Sequence, residues 1–577
     1  MIHTIDFFIV VAYLVLCLII GFYKSTKIKS IAEYTIGAGD FATIVIMATI
    51  FATDIGPAAT LGAVEKIYTL GFAFVIVRIA RFLGYVVLIA FYAPNVTKFK
   101  GCISLSDIIQ KLYGKYSMWI VNIILIPYSI GLLAVQLTTI SKVLNFLGIN
   151  YSWAVFASFS VLICYSALGG IRAVALTDVL QFFIFFLVMP IACAFLYYET
   201  GGYQNIIHSL PQSFFSFPSN TSEKLLFITL LFFSLIPVLY PSEIQRLLMA
   251  KNSKQLTKAL KFIIILYIPF TLVMCFIGIL MKAKGNIPNT SMTLLYLITD
   301  YLPIGLVGLM IAAILSVVMS SADSHLNTAS IICSHDIIKK IFPSITNTTE
   351  LLIARIASFT LGIIAIPIAL QNLGILDLFW AVDNIWFPII LVPLTMGFIG
   401  FKTNSVSFIF SIITAILFTA LGGYILGKFD PITIVIGVIG SAIGFFTAHY
   451  WQVKRGIIKV EKPEYAMQKP SIMQRMRIFI YKFITIKKKR EISKSSYYIL
   501  ALTVMAINIP VLIIGYYPFS DYVNRIVQYL RYATLFLALL LLLHEMFKIN
   551  NPKTLWNITL FLALPFTGTY FFISSGV

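Results

Sequence analysis

Val317-Val318-Met319-Ser320-Ser321-Ala322-Asp323-Ser324 lies near the middle of the apolar run 306–336. That run is long enough to cross a bilayer as a helix. Three hydroxyls and a carboxylate therefore sit at membrane depth, where polar groups are costly and, as a rule, face an aqueous cavity or a bound ion and not lipid. Positions 317, 320 and 321 stand at i, i+3 and i+4 and share one helix face. A loosened Val317 carbonyl and the Ser320 and Ser321 hydroxyls offer three neutral oxygens, the ligand type that hard monovalent cations prefer. Serines in membrane helices also bond back to carbonyls four residues earlier, or hold helices together. The rest of the chain has to weigh the two readings.

Composition sets the class. Of 577 residues, 60% are hydrophobic and 11% charged, and the mean hydropathy is +0.95, which is a polytopic membrane protein and not a soluble core. The net charge of +20 would suggest a nucleic-acid partner in a soluble domain. Here it is assigned to cytoplasmic loops, and the lipid bilayer replaces nucleic acid as the expected partner. The six cysteines, Cys17, Cys102, Cys164, Cys193, Cys275 and Cys333, contain no CxxC pair and predict neither a disulfide framework nor a zinc site. The first apolar run, 7–22, lacks a basic leader and a small-residue cleavage site, so it reads as a true span.

Further spans are expected at 41–61, 70–93, 118–146, 153–168, 174–198, 225–249, 260–281, 303–332, 351–370, 375–401, 406–426 and 432–451, about thirteen helices in all. Lys24, Lys27 and Lys29 follow the first span and place its end inside, with the N-terminus outside. The alternation continues: Lys98, Lys100, Lys111 and Lys115, then Arg172, then Arg246, Lys251, Lys254 and Lys258, then Lys339 and Lys340 fall on the inner side. Loops assigned outside, such as 148–152 and 371–374, carry no basic residue. The expected location is a bacterial-type cytoplasmic membrane.

Two helices are interrupted at matching places. The second span reads Phe51-Ala52-Thr53-Asp54-Ile55-Gly56-Pro57-Ala58-Ala59-Thr60, with an ionisable group mid-membrane and Gly-Pro opening the backbone ladder behind it. Five spans later, Ser234-Leu235-Ile236-Pro237-Val238-Leu239-Tyr240-Pro241 interrupts another helix. Broken helices at equivalent positions of two five-helix halves point to an inverted-repeat transporter with its site at the midplane, where unwound carbonyls hold a cation and half-helix ends hold a polar substrate.

These blocks together resemble the sodium/solute symporter family, which includes proline, pantothenate and sugar symporters. The likeness runs over about residues 4–451. It rests on Ala52-Thr53-Asp54-Ile55 leading to Leu61-Gly62, and on Ala134-Val135-Gln136-Leu137. It rests most specifically on Gly169-Gly170-Ile171-Arg172-Ala173-Val174-Ala175-Leu176-Thr177-Asp178-Val179-Leu180-Gln181, and then on Met319-Ser320-Ser321-Ala322-Asp323-Ser324 with Ser334-His335-Asp336. The resemblance implies an all-α, LeuT-like 5+5 inverted-repeat core with one leading and two trailing helices, and sodium-coupled uptake of a small organic solute by alternating access. It implies Na⁺ held by the carbonyls of Ala52, Ile55 and Val317 and the hydroxyls of Ser320 and Ser321. Some members add a second sodium site, which here would use Asp178, Ser320, Asp323 and Ser324, although Asp178 could equally pair with Arg172. Asp54 matches an acid of proline-type symporters, read as help for the ion, as contact with a substrate amine, or as a helix cap at the break.

The expected solute-lining residues, taken from the broken helices and the tenth core helix, are Asp54, Pro57, Ala58, Gln136, Tyr240, Trp380, Asp383, Asn384 and Trp386. Aromatics at helical spacing also serve packing, whereas Asp383-Asn384 inside an apolar span points to function. An acid and an aromatic lid suit an amino acid or small organic acid better than a sugar.

The symporter-like domain is thus expected at 1–451, a basic cytoplasmic linker at 452–495 and a membrane module of about three helices at 496–577, with spans 497–516, 526–547 and 555–573. Lys487-Lys488-Lys489-Arg490 in the linker suits an inner-face loop, anionic lipid or a cytoplasmic signalling partner. The runs Tyr529-Leu530-Arg531-Tyr532-Ala533-Thr534-Leu535 and Leu564-Pro565-Phe566-Thr567-Gly568-Thr569-Tyr570 resemble a membrane segment of symporter-type sensor histidine kinases. The alternative function is accordingly a solute-sensing input module without its kinase part. No Walker loop, HExxH, GxSxG or paired Cys/His spacing supports an enzyme.

Overall fold

A computed structural model describes residues 3–458, apart from 26–29, 38–40, 238, 286 and 288. These fall in the first of two units into which the chain divides, 1–461 and 462–577. The linker from 459 onward and the C-terminal module lie outside the described residues. Among the described residues all regular structure is helical, as the bilayer requires: with no water in the hydrocarbon, every backbone N–H and C=O must be satisfied within its own segment or by a neighbour.

The chain opens with α1 (Thr4–Ser25) and a short α2 (Ile31–Ile36). A bent pair follows, α3 (Thr43–Asp54) and α4 (Leu61–Leu70), whose axes turn by 77° across the break. Next come α5 (Phe72–Phe99), the connector α6 (Leu105–Tyr113) and α7 (Lys115–Phe146). α8 (Tyr151–Glu199) contains both spans expected at 153–168 and 174–198 with no loop between them; the direction changes at Gly170 (φ 53°, ψ −171°), a left-handed φ that glycine adopts without a Cβ clash.

The span expected at 225–249 is divided into α9 (Thr221–Leu235) and α10 (Pro241–Leu248). Then follow α11 (Ser253–Lys284), α12 (Thr293–Tyr301), α13 (Leu306–Ile331, prolonged by a wider turn over Ile332–Lys339), α14 (Asn347–Ala369) and α15 (Ile375–Ile399). The trailing helices are α16 (Ser405–Leu426) and α17 (Pro431–Lys454). By length and apolarity, nine described helices can each cross a membrane alone and the α3–α4 pair can do so together; Thr4–Ile20 and Tyr151–Ile163 are shorter apolar helices.

Burial ranks the helices. Of the apolar window of α13, 94% is buried inside the protein, against 33% for α16. α13 is therefore the central post, and its serines and Asp323 see protein on all sides, while α16 faces lipid. Its start is fixed by the leading helix. The N–H groups of Gly305 and Gly308 both donate to Asp6 Oδ1 at 2.7 Å, so a carboxylate from α1 caps the N-terminus of α13. A Cβ at Gly308 would stand 2.7 Å from the Asp6 Cα, which is why α1 can approach so closely only over glycine.

The opposite end of α13, on the side of the basic loops, is tied by polar contacts. Ser104 donates to Asp336 Oδ1 at 2.7 Å and Asn122 Nδ2 to the Asp336 carbonyl at 2.9 Å. His335 stands between Glu350 (2.9 Å) and Asp107 (3.6 Å), and Lys340 reaches Asp107 at 3.1 Å. Burial acts to raise the Asp107 pKa, but the His335 hydrogen bond and the charge of Lys340 outweigh it and hold the carboxyl down at about 2. A depressed carboxyl contributes its stability in full above its ordinary pKa of 3.8 while His335 stays protonated, up to about pH 9, and loses it progressively as the pH falls from 3.8 through about 2. These contacts tie α6, α7 and α14 to this end of α13.

The Asp6 cap generates a prediction. Asp6→Ala should lower the thermal midpoint of the detergent-purified protein by the equivalent of about 1–2 kcal/mol, the scale of a lost helix cap, and Asp6→Asn by less. An unchanged midpoint for Asp6→Ala would show that α1 does not anchor α13.

Candidate functional site

The end of α3 explains why oxygens become available there. In a continuing helix the N–H of Gly56 would bond the Ala52 carbonyl; it bonds the Asp54 carbonyl instead, at 3.0 Å. Position 57 is proline and has no N–H for the Thr53 carbonyl, and the N–H of Ala59 goes to Gly56 (3.0 Å) and not to Ile55. The Ala52, Thr53 and Ile55 carbonyls are thereby released from the helical ladder, inside the membrane, by three consecutive features of the sequence.

The serine doublet of α13 meets this break. Ser321 Oγ donates to the Thr53 carbonyl at 3.2 Å and to the Val317 carbonyl at 3.4 Å. Such separations are what neighbouring ligands have around a hard cation with bonds of about 2.4 Å. A Cβ on Gly56 would lie 2.9 Å from Ser321 Oγ, so glycine at the break is what admits the hydroxyl. Without an ion the hydroxyl proton bridges these oxygens; a cation can replace that proton as the bridge. Ser320 is turned away from the break and donates to Asp178 Oδ1 at 2.6 Å. Its lone pairs stay available to a cation, since a hydroxyl that donates once still accepts.

Asp178 is fully buried and heavily partnered. Thr49 and Ser320 donate to it, and the Arg246 guanidinium lies 3.7 Å away, both side chains being 0% exposed. Arg246 also donates to Ser324, and Ser324 in turn donates to the Ser320 carbonyl at 2.7 Å and lies 3.1 Å from Thr53 Oγ1. Two expectations are corrected here. Arg246 is not a loop charge but a buried cation, because α10 turns it inward from the second break. Arg172 is not the partner of Asp178, since it pairs with Glu33 at 3.8 Å. Of the second expected ion set, Asp178 and Ser324 share the Arg246 guanidinium, and Asp323 Oδ1 lies 3.5 Å from Ser324. The charge that a second sodium would bring to Asp178 is already supplied by the protein.

The two breaks are joined to each other. Arg81 on α5 donates to Asp54 Oδ1 at 3.3 Å, Tyr85 donates to Asp54 Oδ2, and Arg81 Nη1 donates to the Ile236 carbonyl at 2.9 Å. Asp54 thus neither caps its helix nor stands free for a solute amine. It is one half of a buried ion pair that ties the end of α3 to the unwound segment after α9.

Beside the breaks lies a cavity of about 170 Å³ that extends along α4 and the first half of α15, away from the basic loops. Of the expected solute residues, Asp54, Pro57, Ala58, Gln136, Tyr240, Trp380 and Asp383 line it. Asn384 and Trp386 do not. The Asn384 amide donates to the Trp380 and Asp430 carbonyls (2.9 and 3.2 Å) and accepts from Thr433 (2.6 Å), which docks α17 on α15. Trp386 is 0% exposed, donates to the Leu239 carbonyl at 3.0 Å and stacks on Tyr128, so it braces the second break from behind. Asn384 is turned about 100° from Asp383, while Trp386, three residues on, lies at the flank of the same face and is covered by Tyr128 and Leu239.

Sequence reasoning did not single out Arg78, Arg81 and Lys66, all of which line the cavity. The signal was present: Arg78 and Arg81 fall inside an apolar span, where an ionisable side chain is by default a site residue.

The sodium:solute symporter family matches residues 34–406. Among individual proteins, the chain is 26% identical to the high-affinity choline transporter 1 of Drosophila melanogaster, over 68% of this chain and 67% of that one. It is 24% identical to the sodium/sialic acid symporter NanT of Aliivibrio fischeri (63% and 75% covered), and 22% identical to the high-affinity proline transporter PutP of Bacillus subtilis (65% and 84%). In three dimensions it resembles a Na⁺-coupled sialic acid symporter solved in a substrate-bound outward-open state, with a TM-score of 0.67 at 21% identity, covering 80% of this chain and 99% of that one. A match of that quality at that identity speaks for the fold, which is LeuT-like. The chain is an integral membrane protein that belongs to the sodium:solute symporter family.

Proposed function

We propose that the protein carries a small organic solute, an amino acid or organic acid, together with Na⁺ by alternating access, from a cytoplasmic membrane in which its N-terminus faces outward. The observation that carries this reading is the meeting of Ser321 with the released Thr53 carbonyl, which sets uncharged oxygens from two distant segments around one point at membrane depth. The contact of Ser321 with the Thr53 and Val317 carbonyls supports the ion site read from the sequence, the Ala52, Ile55 and Val317 carbonyls with the Ser320 and Ser321 hydroxyls. An ion bound between α3 and α13 fastens these helices together and favours the form whose cavity is open on the side away from the basic loops. A solute with higher affinity for that form is loaded with it. The contacts of Asp107, His335 and Asp336 at the other end fit the same form. An inward-negative potential contributes about 2.3 kcal/mol per charge per 100 mV, which suffices for uphill uptake.

The Arg246 guanidinium between Asp178 and Ser324 supports transport with a single sodium ion. Sodium-dependent uptake into proteoliposomes should then follow a Hill coefficient near one; a coefficient near two would bring back a second site at Asp178, Asp323 and Ser324.

Ser321→Ala should raise the half-saturating Na⁺ concentration about ten-fold or more, the equivalent of roughly 1.4 kcal/mol for one lost ligand. Unaltered sodium dependence would remove the proposed ion site. Asp178→Asn and Arg246→Gln should each destabilise the purified protein strongly, by about 3–5 kcal/mol, because each leaves a buried charge unmatched, while the double substitution recovers part of the loss. Strictly additive losses would mean that the two groups do not act as a pair.

A further inference from the structure

The cavity wall carries three buried polar atoms with no hydrogen-bond partner: Arg78 Nε, Gln136 Oε1 and Asp383 Oδ1. Gln136 and Asp383 are 1% and 3% exposed, and both line the cavity, so a solute that enters it meets them. Polar groups taken out of water keep a partner as a rule, and a site that lacks one is shaped for a ligand. The three divide by chemistry. A guanidinium only donates; an amide oxygen and an ionised carboxylate only accept.

Two of the three belong to ionisable groups that, unlike Arg81 and Lys66 in the same cavity, have no ion-pair partner among the described residues. Arg81 is matched by Asp54 at 3.3 Å. Lys66 lies 3.6 Å from Glu65 and over the ring of Trp380. Arg78, by contrast, has one described hydrogen bond, from Nη2 to the Ala59 carbonyl at 3.3 Å, and no carboxylate among the described residues within ion-pair range. Asp383 accepts from the Tyr240 hydroxyl at 3.3 Å and likewise has no cation in range among the described residues. A guanidinium on α5 and a carboxyl group on α15, neither with an ion-pair partner among the described residues, therefore face a single small space.

We infer that the solute is a small zwitterion of the α-amino-acid type, its carboxylate received by Arg78 and its ammonium by Asp383 with the Gln136 oxygen. The inference rests on the symport reading above and names the substrate class of that site. A monocarboxylate would answer Arg78 and leave Asp383 bare, a quaternary ammonium would do the reverse, and a sugar would answer neither charge. The volume of about 170 Å³, below the ~300–1,000 Å³ of pockets for drug-sized ligands, restricts the solute to the smaller members of the class.

The test uses the full chain in proteoliposomes with an inward sodium gradient, together with thermal midpoints of the detergent-purified protein in Na⁺. The probes are the common protein amino acids and glycine betaine, with propionate, choline and glucose as singly charged and uncharged counterparts. The expected result is sodium-driven uptake of one or more zwitterions, a raised midpoint in their presence, and no competition from propionate, choline or glucose. Arg78→Gln and Asp383→Asn should each raise the half-saturating solute concentration about ten-fold or more, with Arg78→Lys between Arg78→Gln and the unaltered protein. The half-saturating Na⁺ concentration in the thermal titration should barely move in either. Should a variant fail to purify as a folded protein, the competition panel on the unaltered chain decides alone. Sodium-driven uptake of propionate, choline or glucose in preference to every zwitterion would overturn the inference and leave sodium symport standing. If sodium changes neither uptake nor thermal midpoint with any probe, both readings fall together.

Discussion

Everything in the site depends on three carbonyls that the helix no longer uses. Gly56, Pro57 and the turn after them strip α3 of the N–H groups that would occupy the carbonyls of Ala52, Thr53 and Ile55. In hydrocarbon such oxygens could not persist without a partner. Here the Thr53 carbonyl has one, because the most buried of the described spans brings Ser321 within 3.2 Å of it. A neutral oxygen cluster in a low-dielectric setting is a poor place for a second carboxylate and a good place for a small cation, which brings the charge the oxygens can share. The acids beside it, Asp54 and Asp178, are paired with Arg81 and Arg246, so the cluster stays formally uncharged.

The buried ion pairs surrounding this cluster have a geometric role. Asp54–Arg81 connects the first break to the second through the Ile236 carbonyl, and Asp178–Arg246 connects α8, α10 and α13. Desolvation makes such pairs a weak source of net stability, but breaking one side of either leaves a bare charge in the membrane. They therefore specify register: each segment can dock only where its charge finds its partner. The two arginines that look alike in the sequence, Arg78 and Arg81, differ for this reason. One is spent on the scaffold, while the other has its charge directed to the cavity.

Much of this architecture was legible in the sequence. The 3.6-residue period put positions 317, 320 and 321 on one face, and of these Ser321 meets the break while Ser320 bonds Asp178. The Gly-Pro and Pro-x-x-x-Pro interruptions marked where the ladders open, and the basic loops marked the side on which the end of α13 is tied. Asn384 and Trp386 were misread because an apolar span with two suspicious neighbours, Asp383 and Asn384, does not say which of them faces inward. At 100° per residue, adjacent positions diverge, so Asp383 reaches the cavity while Asn384 docks α17 through Asp430 and Thr433; Trp386, at the flank of the cavity face, is covered by Leu239 and Tyr128.

What the sequence by itself determined is everything set by local rules: helices long enough for a bilayer, the places where they break, and the hydroxyl-rich face of one of them. Only the tertiary structure decided the pairings across helices. Arg246 rather than Arg172 answers Asp178, Arg81 answers Asp54, and Arg78 and Asp383 have no ion-pair partner among the described residues. The reason is physical. Hydropathy and periodicity fix what a span can be, whereas its rotation about its own axis, which decides what each charge meets, is fixed only by the neighbours against which it packs.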